Sequence, residues 1–289
     1  MNALHGLVPG GRKTGELCLL GPGYTAIMVT PDDGMLDLAL RLADASGAVI
    51  RRHFRTDIGA DDKADQSPVT VADREAESAM RALLAAHAPG HGVIGEEHGR
   101  ENAGAELVWV LDPIDGTKAF ITGKPIFGTL IALMHHGRPV LGVIDQPIVG
   151  DRWVGAAGRP TLFNGAPARV RVCEGLSRAR LSTTGPQYFT DEGRRAFDRV
   201  AARSKLLSYG GDCYQYGLVA SGSVDVVVEA ELELHDFAAL VPVVEGAGGV
   251  MTDWQGRPLD AASAGEVVAA GDARVHAEVL AALAEPAPR

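Results

Sequence analysis

The sequence predicts an α/β protein, with an α+β first half and an α/β second half. Short apolar runs alternate with segments of helical period along the chain. The runs between residues 107 and 146 follow one another with little between them, as antiparallel strands do. Beyond residue 180 strand-like and helix-like segments take turns. With 289 residues, the chain is long enough to bury a large core.

Residues 1–33 are punctuated by GLVPGG, GPG and TPDDG without any sustained period, and read as a flexible extension. Met28 and Met35 are alternative starts within and just after it. From Met35 the pattern is helical, with Leu36, Ala39, Leu40, Ala43, Gly47 and Ile50 at helical spacing. A polar loop, TDIGADDKADQSP, separates this from a second helix over Val71–His87, whose Thr70 and Asp73 match a capping box. Strands are predicted at GVIG, LVWVL, IFGTLIALMH and PVLGVID, the last two joined by an HGRP turn. ARVRV and ARLSTT also read as strands, followed by a helix over Thr190–Ser204. Cys213–Ser221 reads as a helix, VDVVVEA as a buried strand, and Asp236–Gly246 and Asp272–Leu283 as helices. The expected division is a metal-binding half over residues 34–160 and a substrate-binding half over 161–289, with the boundary near 155–180.

A net charge of −10 argues against a nucleic-acid binder, which needs a basic face. It is compatible with a small anionic substrate, because a bound cation reverses the local sign. Cys18, Cys173 and Cys213 are odd in number and widely spaced, as expected of free thiols in a reducing, cytoplasmic setting. No apolar run approaches a membrane span, and LCLL is too short for a secretory core.

The chemistry concentrates in WVLDPIDGTKAF, residues 109–120. Asp112 and Asp115 follow the apolar run LVWVL. Pro113 stiffens the turn, Gly116 admits close approach, and Gly116–Thr117 can open a short helix facing a phosphate. Two adjacent carboxylates repel unless a hard cation holds both ionised. The alternative is an acid-capped turn with no ligand. Asp73, Glu96 and Asp236 also stand at element ends, each readable as a cap or a solvated charge. Together they form an all-oxygen set suited to Mg²⁺ or Ca²⁺, with Mg²⁺ favoured by phosphate substrates. No Cys/His cluster suggests zinc. The pair His135–His136 reads as an exposed hairpin end and His98 as a solvent-facing group.

Asp112-Pro-Ile-Asp-Gly-Thr117, preceded by Gly95-Glu-Glu97 and followed by Asp236 ahead of an Ala-rich stretch, resembles the inositol monophosphatase superfamily from about Met35 to the end. That resemblance implies a layered αβαβα sandwich, Mg²⁺-dependent phosphatase activity, lithium sensitivity and a homodimer. It implies a first ion held by Glu96, Asp112, the Ile114 carbonyl and Asp115. Asp112, Asp115 and Asp236 would share a second ion, and Asp73 would help hold a third. Thr117 and Glu96 would orient the attacking water, with Asp73 supporting catalysis. Gly116 and Thr117 N–H groups would receive the phosphate.

Residues 61–77, 209–222 and 240–256 look like the histidinol-phosphatase branch, although His235 stands where Tyr or Trp is expected. The implied substrate is L-histidinol phosphate. Asp212 would face its ammonium group or else cap a helix, and Tyr214 would line the imidazole slot or belong to the core. Glu229 and Asp236 would contact the substrate's polar groups. Inositol monophosphate, or a range of sugar or nucleotide phosphates, is the alternative substrate class. A non-catalytic phosphate-ligand-binding protein is the distant one.

Overall fold

The computed structural model describes residues 29–57, 60–62 and 68–286. The expected extension up to residue 28, Cys18 and parts of the polar loop lie outside the described residues.

Five layers stack. The helices Asp33–His53 and Val71–His87 form the first. Both are capped by side chains: Asp32 accepts from the Met35 N–H, and Thr70 and Asp73 close the expected capping box. The buried face of the first helix runs through Leu38, Ala39, Leu42, Ala43, Ser46, Gly47, Val49 and Ile50. Ala39, Ala43, Gly47 and Ile50 of the expected stripe are buried, whereas Leu36 and Leu40 lie at its margin and Leu38 and Leu42 extend it on the other side.

These helices cover an eight-stranded sheet. Its central strands, Leu107–Asp115, Gly128–His135 and Arg138–Gln146, are antiparallel, and Leu107–Asp115 also pairs in parallel with Gly92–Gly95. Buried residues run almost unbroken along them because both faces are covered. The HGRP turn closes through His136 and Gly137, both at positive φ (48° and 76°), as a two-residue hairpin requires.

The opposite face of this sheet packs on the helices Tyr214–Ala220 and Leu240–Gly246, forming one core with the inner face of a second sheet. Gly142 and Gly155 let the second of these helices approach, since a β-carbon on Gly142 would meet the carbonyl of Ala239, its cap, at 1.9 Å and one on Gly155 the Pro242 carbonyl at 2.1 Å. The second sheet has five strands in the order Leu206–Tyr209, Arg180–Thr183, Val226–Glu229, Val267–Ala270 and Val250–Thr252. The helices Asp191–Ala201 and Ala273–Ala284 cover its outer face. This is the expected αβαβα sandwich of alternating layers.

Three local expectations are corrected. ARVRV is not a strand: it crosses between the sheets, with the Val170 N–H on the Ala247 carbonyl and Arg171 paired with the buried Asp225. The strand expected to end at Leu111 continues through Asp115, with an irregular register between Asp112 and Asp115. The helix expected over Asp236–Gly246 is two short ones, Leu234–Phe237 and Leu240–Gly246.

Candidate active site

The register shift between Asp112 and Asp115 builds the site. A regular strand points residues three apart to opposite faces. The bulge instead lets both carboxylates converge with Asp236, their ligand atoms within 4.8 Å of one another. Pro113 can sit in this strand because it lies where pairing is interrupted. Its carbonyl accepts the Thr129 hydroxyl at 2.8 Å, and Thr129 meets Ser46 at 2.9 Å, so the bulge is anchored to the first helix. Gly116 follows at φ 87°, a left-handed conformation that turns the chain into the helix Thr117–Ile121. The Thr117 hydroxyl donates to the Ile114 carbonyl at 3.1 Å.

Glu96 arrives from the end of Gly92–Gly95, its N–H bonded to the Leu111 carbonyl at 3.2 Å. It forms a second close group with Asp112 and His235, so Asp112 belongs to both groups. Asp236 is not the cap of its helix. Glu233 is the cap, and Asp236 reaches back one turn to accept the Glu233 N–H at 2.7 Å through Oδ2, leaving Oδ1 toward the cluster. Asp73 is buried and accepts from both the N–H and the hydroxyl of Thr70, at 2.8 and 2.6 Å. It does not join either close group, but it feels the charges of Glu97 and Glu96.

Burial first, and neighbouring acids second, push Asp112 and Asp115 well above the usual carboxylate range. Burial likewise raises Asp236, and lifts Asp73 and Asp212 to about 6. Asp112 Oδ1 is buried with no hydrogen-bond partner among the described residues. Such a site is costly as bare carboxylates and relieved by hard divalent cations, which prefer oxygen donors. The residues present fit a metal centre.

Beside the acids lies a cleft lined by Gly116, Thr117, Asp212, Tyr216, Glu229 and Asp236, among others. Asp212 sits at positive φ (41°) against Gly116, and it is not a helix cap: the helix Tyr214–Ala220 is preceded by Cys213. Glu229 is held at the cleft floor by the Thr184 N–H (2.8 Å), Gln215 (2.9 Å) and the Tyr216 hydroxyl (2.7 Å). Tyr214, a candidate for the imidazole slot, faces away: its hydroxyl donates to Asp151 and its ring packs on Trp153.

Sequence reasoning missed Glu77. Fully buried, it accepts from the N–H groups of Glu97 (2.7 Å) and His98 (3.2 Å) and from Arg81 (2.7 Å), fixing the turn that presents Glu96. Its spacing of four from Asp73 and from Arg81 on one helix was the available signal. Tyr216 was also missed. The His135–His136 pair is only half as expected: His136 is exposed, but His135 is buried and meets Glu106 at 3.1 Å. Cys173 and Cys213 are free and buried. Among the described residues no helix is long and apolar enough to cross a membrane.

A layered sandwich with crowded, buried acids beside a small polar cleft defines a protein that handles a small ligand with metal assistance. The sequence pattern of the inositol monophosphatase family matches residues 32–289. The chain is 51% identical over 251 residues to the bifunctional phosphatase IMPL2, chloroplastic, of Arabidopsis thaliana, covering 84% of this chain and 72% of that one. It is 37% identical to a histidinol-phosphatase of Chlorobaculum parvum over 79% of this chain and 88% of that protein. A solved structure of an inositol monophosphatase from Zymomonas mobilis superposes with a TM-score of 0.80 at 52% identity, covering 86% of this chain and 96% of that one. The chain belongs to the inositol monophosphatase family, a family of metal-dependent phosphatases acting on small phosphate esters.

Proposed function

We propose that the protein is a Mg²⁺-dependent phosphomonoesterase that hydrolyses L-histidinol phosphate to L-histidinol and phosphate. The observation that carries the substrate choice is Asp212. Its carboxylate lies at the cleft beside Gly116, where an ammonium-bearing ester has a use for it and a neutral polyol has none. The kinship with a histidinol-phosphatase supports the same reading.

Glu96, Asp112, the Ile114 carbonyl, Asp115 and Asp236 would hold the ions, with Asp73 toward a third. Bound Mg²⁺ would supply ionised water near neutral pH and charge stabilisation for the leaving oxygen. The chain's own groups do the rest. Gly116 and Thr117 present N–H groups to the phosphate at the start of a helix. Thr117 and Glu96 would orient the attacking water, and the Ile114 carbonyl, by accepting the Thr117 hydroxyl, leaves that oxygen's lone pairs toward the water. Glu229, its oxygens already engaged, shapes the cleft floor as well as accepting from the substrate. Lithium inhibition, a homodimer and a cytoplasmic setting belong to the same reading.

The second reading keeps the chemistry and takes inositol monophosphate; the Zymomonas mobilis structure favours it. Phosphate release from L-histidinol phosphate and from inositol 1-phosphate, with and without Mg²⁺, separates the two. Faster Mg²⁺-dependent release from L-histidinol phosphate is expected. Equal or faster release from inositol phosphate would replace the first reading by the second.

A further inference from the structure

The ladder between Leu107–Asp115 and Gly128–His135 has two ends. Asp112 and Asp115 stand at one. At the other, Leu107 pairs with His135, and the His136 N–H donates to the Glu106 carbonyl at 3.0 Å. Glu106 is six positions before Asp112, about 20 Å along extended chain. A regular strand sends neighbouring side chains to opposite faces. His136 instead takes a left-handed backbone, φ 48°, and its ring lies beside that of His135, with centroids 4.3 Å apart. Glu106 reaches the same place: its Oε1 lies 3.1 Å from His135 Nε2. One ligand atom from each of the three residues lies within 4.8 Å of the other two. Among the described residues this is the one such group that does not contain Asp112. His135 is buried and so fixed by the core, whereas Glu106 and His136 are exposed and can adjust.

We propose that Glu106, His135 and His136 form a separate metal position, for a borderline divalent transition-metal ion such as Zn²⁺, at the hairpin end remote from the acid cluster. The site goes beyond the function proposed above and does not depend on it. Donor type is the first reason. Two imidazoles and one carboxylate, with a fourth position open to water, are a set that zinc accepts, whereas Mg²⁺ demands oxygen donors. Spacing is the second. Tetrahedral ligands about 2.0–2.1 Å from zinc stand about 3.3 Å from one another, close to the distance between His135 Nε2 and Glu106 Oε1. Binding uses the neutral imidazoles, and any proton shared between Nε2 and Glu106 leaves to solvent. Chain spacing gives no sign of the group, because Glu106 lies 29 positions from His135 and only strand pairing unites them. The rival is a plain His135–Glu106 hydrogen bond beside an uninvolved His136.

The test is a calorimetric Zn²⁺ titration of the full chain in saturating Mg²⁺, repeated with Asp112→Asn to remove the acid cluster's contribution. One Zn²⁺ equivalent is expected to persist in Asp112→Asn. Adding His136→Asn or Glu106→Gln should each weaken it about tenfold or more, since even the outer-shell partners of a metal ligand are worth that much. Both substitutions are at exposed positions, and Asn tolerates the left-handed backbone of residue 136, so the fold is kept. His136→Asn alone should leave Mg²⁺-dependent phosphate release at the parent rate. Absence of a Zn²⁺ equivalent in Asp112→Asn, or an equivalent whose affinity survives either added substitution, overturns the proposal. Loss of phosphate release in His136→Asn would tie the hairpin to the acid cluster and also overturn a separate site. The substrate comparison above is decided independently of these outcomes.

Discussion

The Cys213 N–H donates to Asp115 Oδ2, joining the bulged strand of the first sheet to the turn that carries Asp212. One carboxylate of the acid cluster thereby positions a cleft residue nearly a hundred positions downstream. The Cys213 thiol is itself buried and pushed well up by burial and by Asp115, so it serves as packing rather than as a nucleophile.

Asp112 is common to both close groups, so its loss should disable both. Asp112→Asn is expected to lower Mg²⁺-dependent turnover about a thousandfold or more. The metal-free variant should melt at or above the parent temperature, because a buried charge has been removed. Phosphate release and thermal unfolding followed by circular dichroism check the two halves; near-parent turnover would contradict the metal assignment.

The raised acids give metal-free protein an unusual pH dependence. Groups that bind protons more tightly folded than unfolded stabilise the fold at low pH and lose that contribution as pH rises. Asp73 and Asp212 titrate near 6 when folded, against about 4 when unfolded. Asp112 and Asp115 are also raised. Stability of the metal-free protein should therefore decline from about pH 4 to beyond pH 6 on account of these groups. Saturating Mg²⁺ should flatten that decline. Melting temperatures across pH 4.5–8, with and without Mg²⁺, measure it.

Gly116 is at φ 87°, and an added β-carbon would lie 2.8 Å from the Asp212 carboxyl carbon. Gly116→Ala is expected to cost about 1–3 kcal/mol of stability and about a hundredfold in kcat/KM, through displacement of the phosphate-facing N–H groups. Gly158→Ala is the control. It has a similar φ of 74° but only Thr30 nearby, at 3.8 Å, and should lose stability with little change in turnover.

Glu77 holds the Glu96–His98 turn from beneath, and its removal leaves two backbone N–H groups and the Arg81 Nε–H without their acceptor. Glu77→Ala should destabilise the protein by about 3 kcal/mol in urea unfolding. It should also weaken Mg²⁺ binding, since Glu96 loses its fixed position.

The layers were legible because apolar runs and helical periods are strong signals, and the cluster was legible because its acids stand beside turn residues. What escaped depends on long-range geometry. The bulge that aligns Asp112 with Asp115 leaves no mark on spacing, so the strand was expected to stop at Leu111. ARVRV alternates like a strand, but Arg171 is turned to the buried Asp225 and the segment crosses between layers. His135 resembles an exposed turn residue until the neighbouring strand end brings Glu106 beside it. Asp212 and Tyr214 were both candidates for substrate contact; only a left-handed backbone at Asp212 decides which one faces the cleft.

The central claim is that this metal-dependent site reads a cationic phosphate ester through Asp212. Its most direct test is the ratio of kcat/KM for L-histidinol phosphate to that for inositol 1-phosphate, measured at saturating Mg²⁺ in the parent and in Asp212→Asn. A ratio well above one is expected in the parent, falling about tenfold or more in the variant, chiefly through the cationic substrate. A parent ratio at or below one, or a ratio unchanged by the substitution, would contradict it.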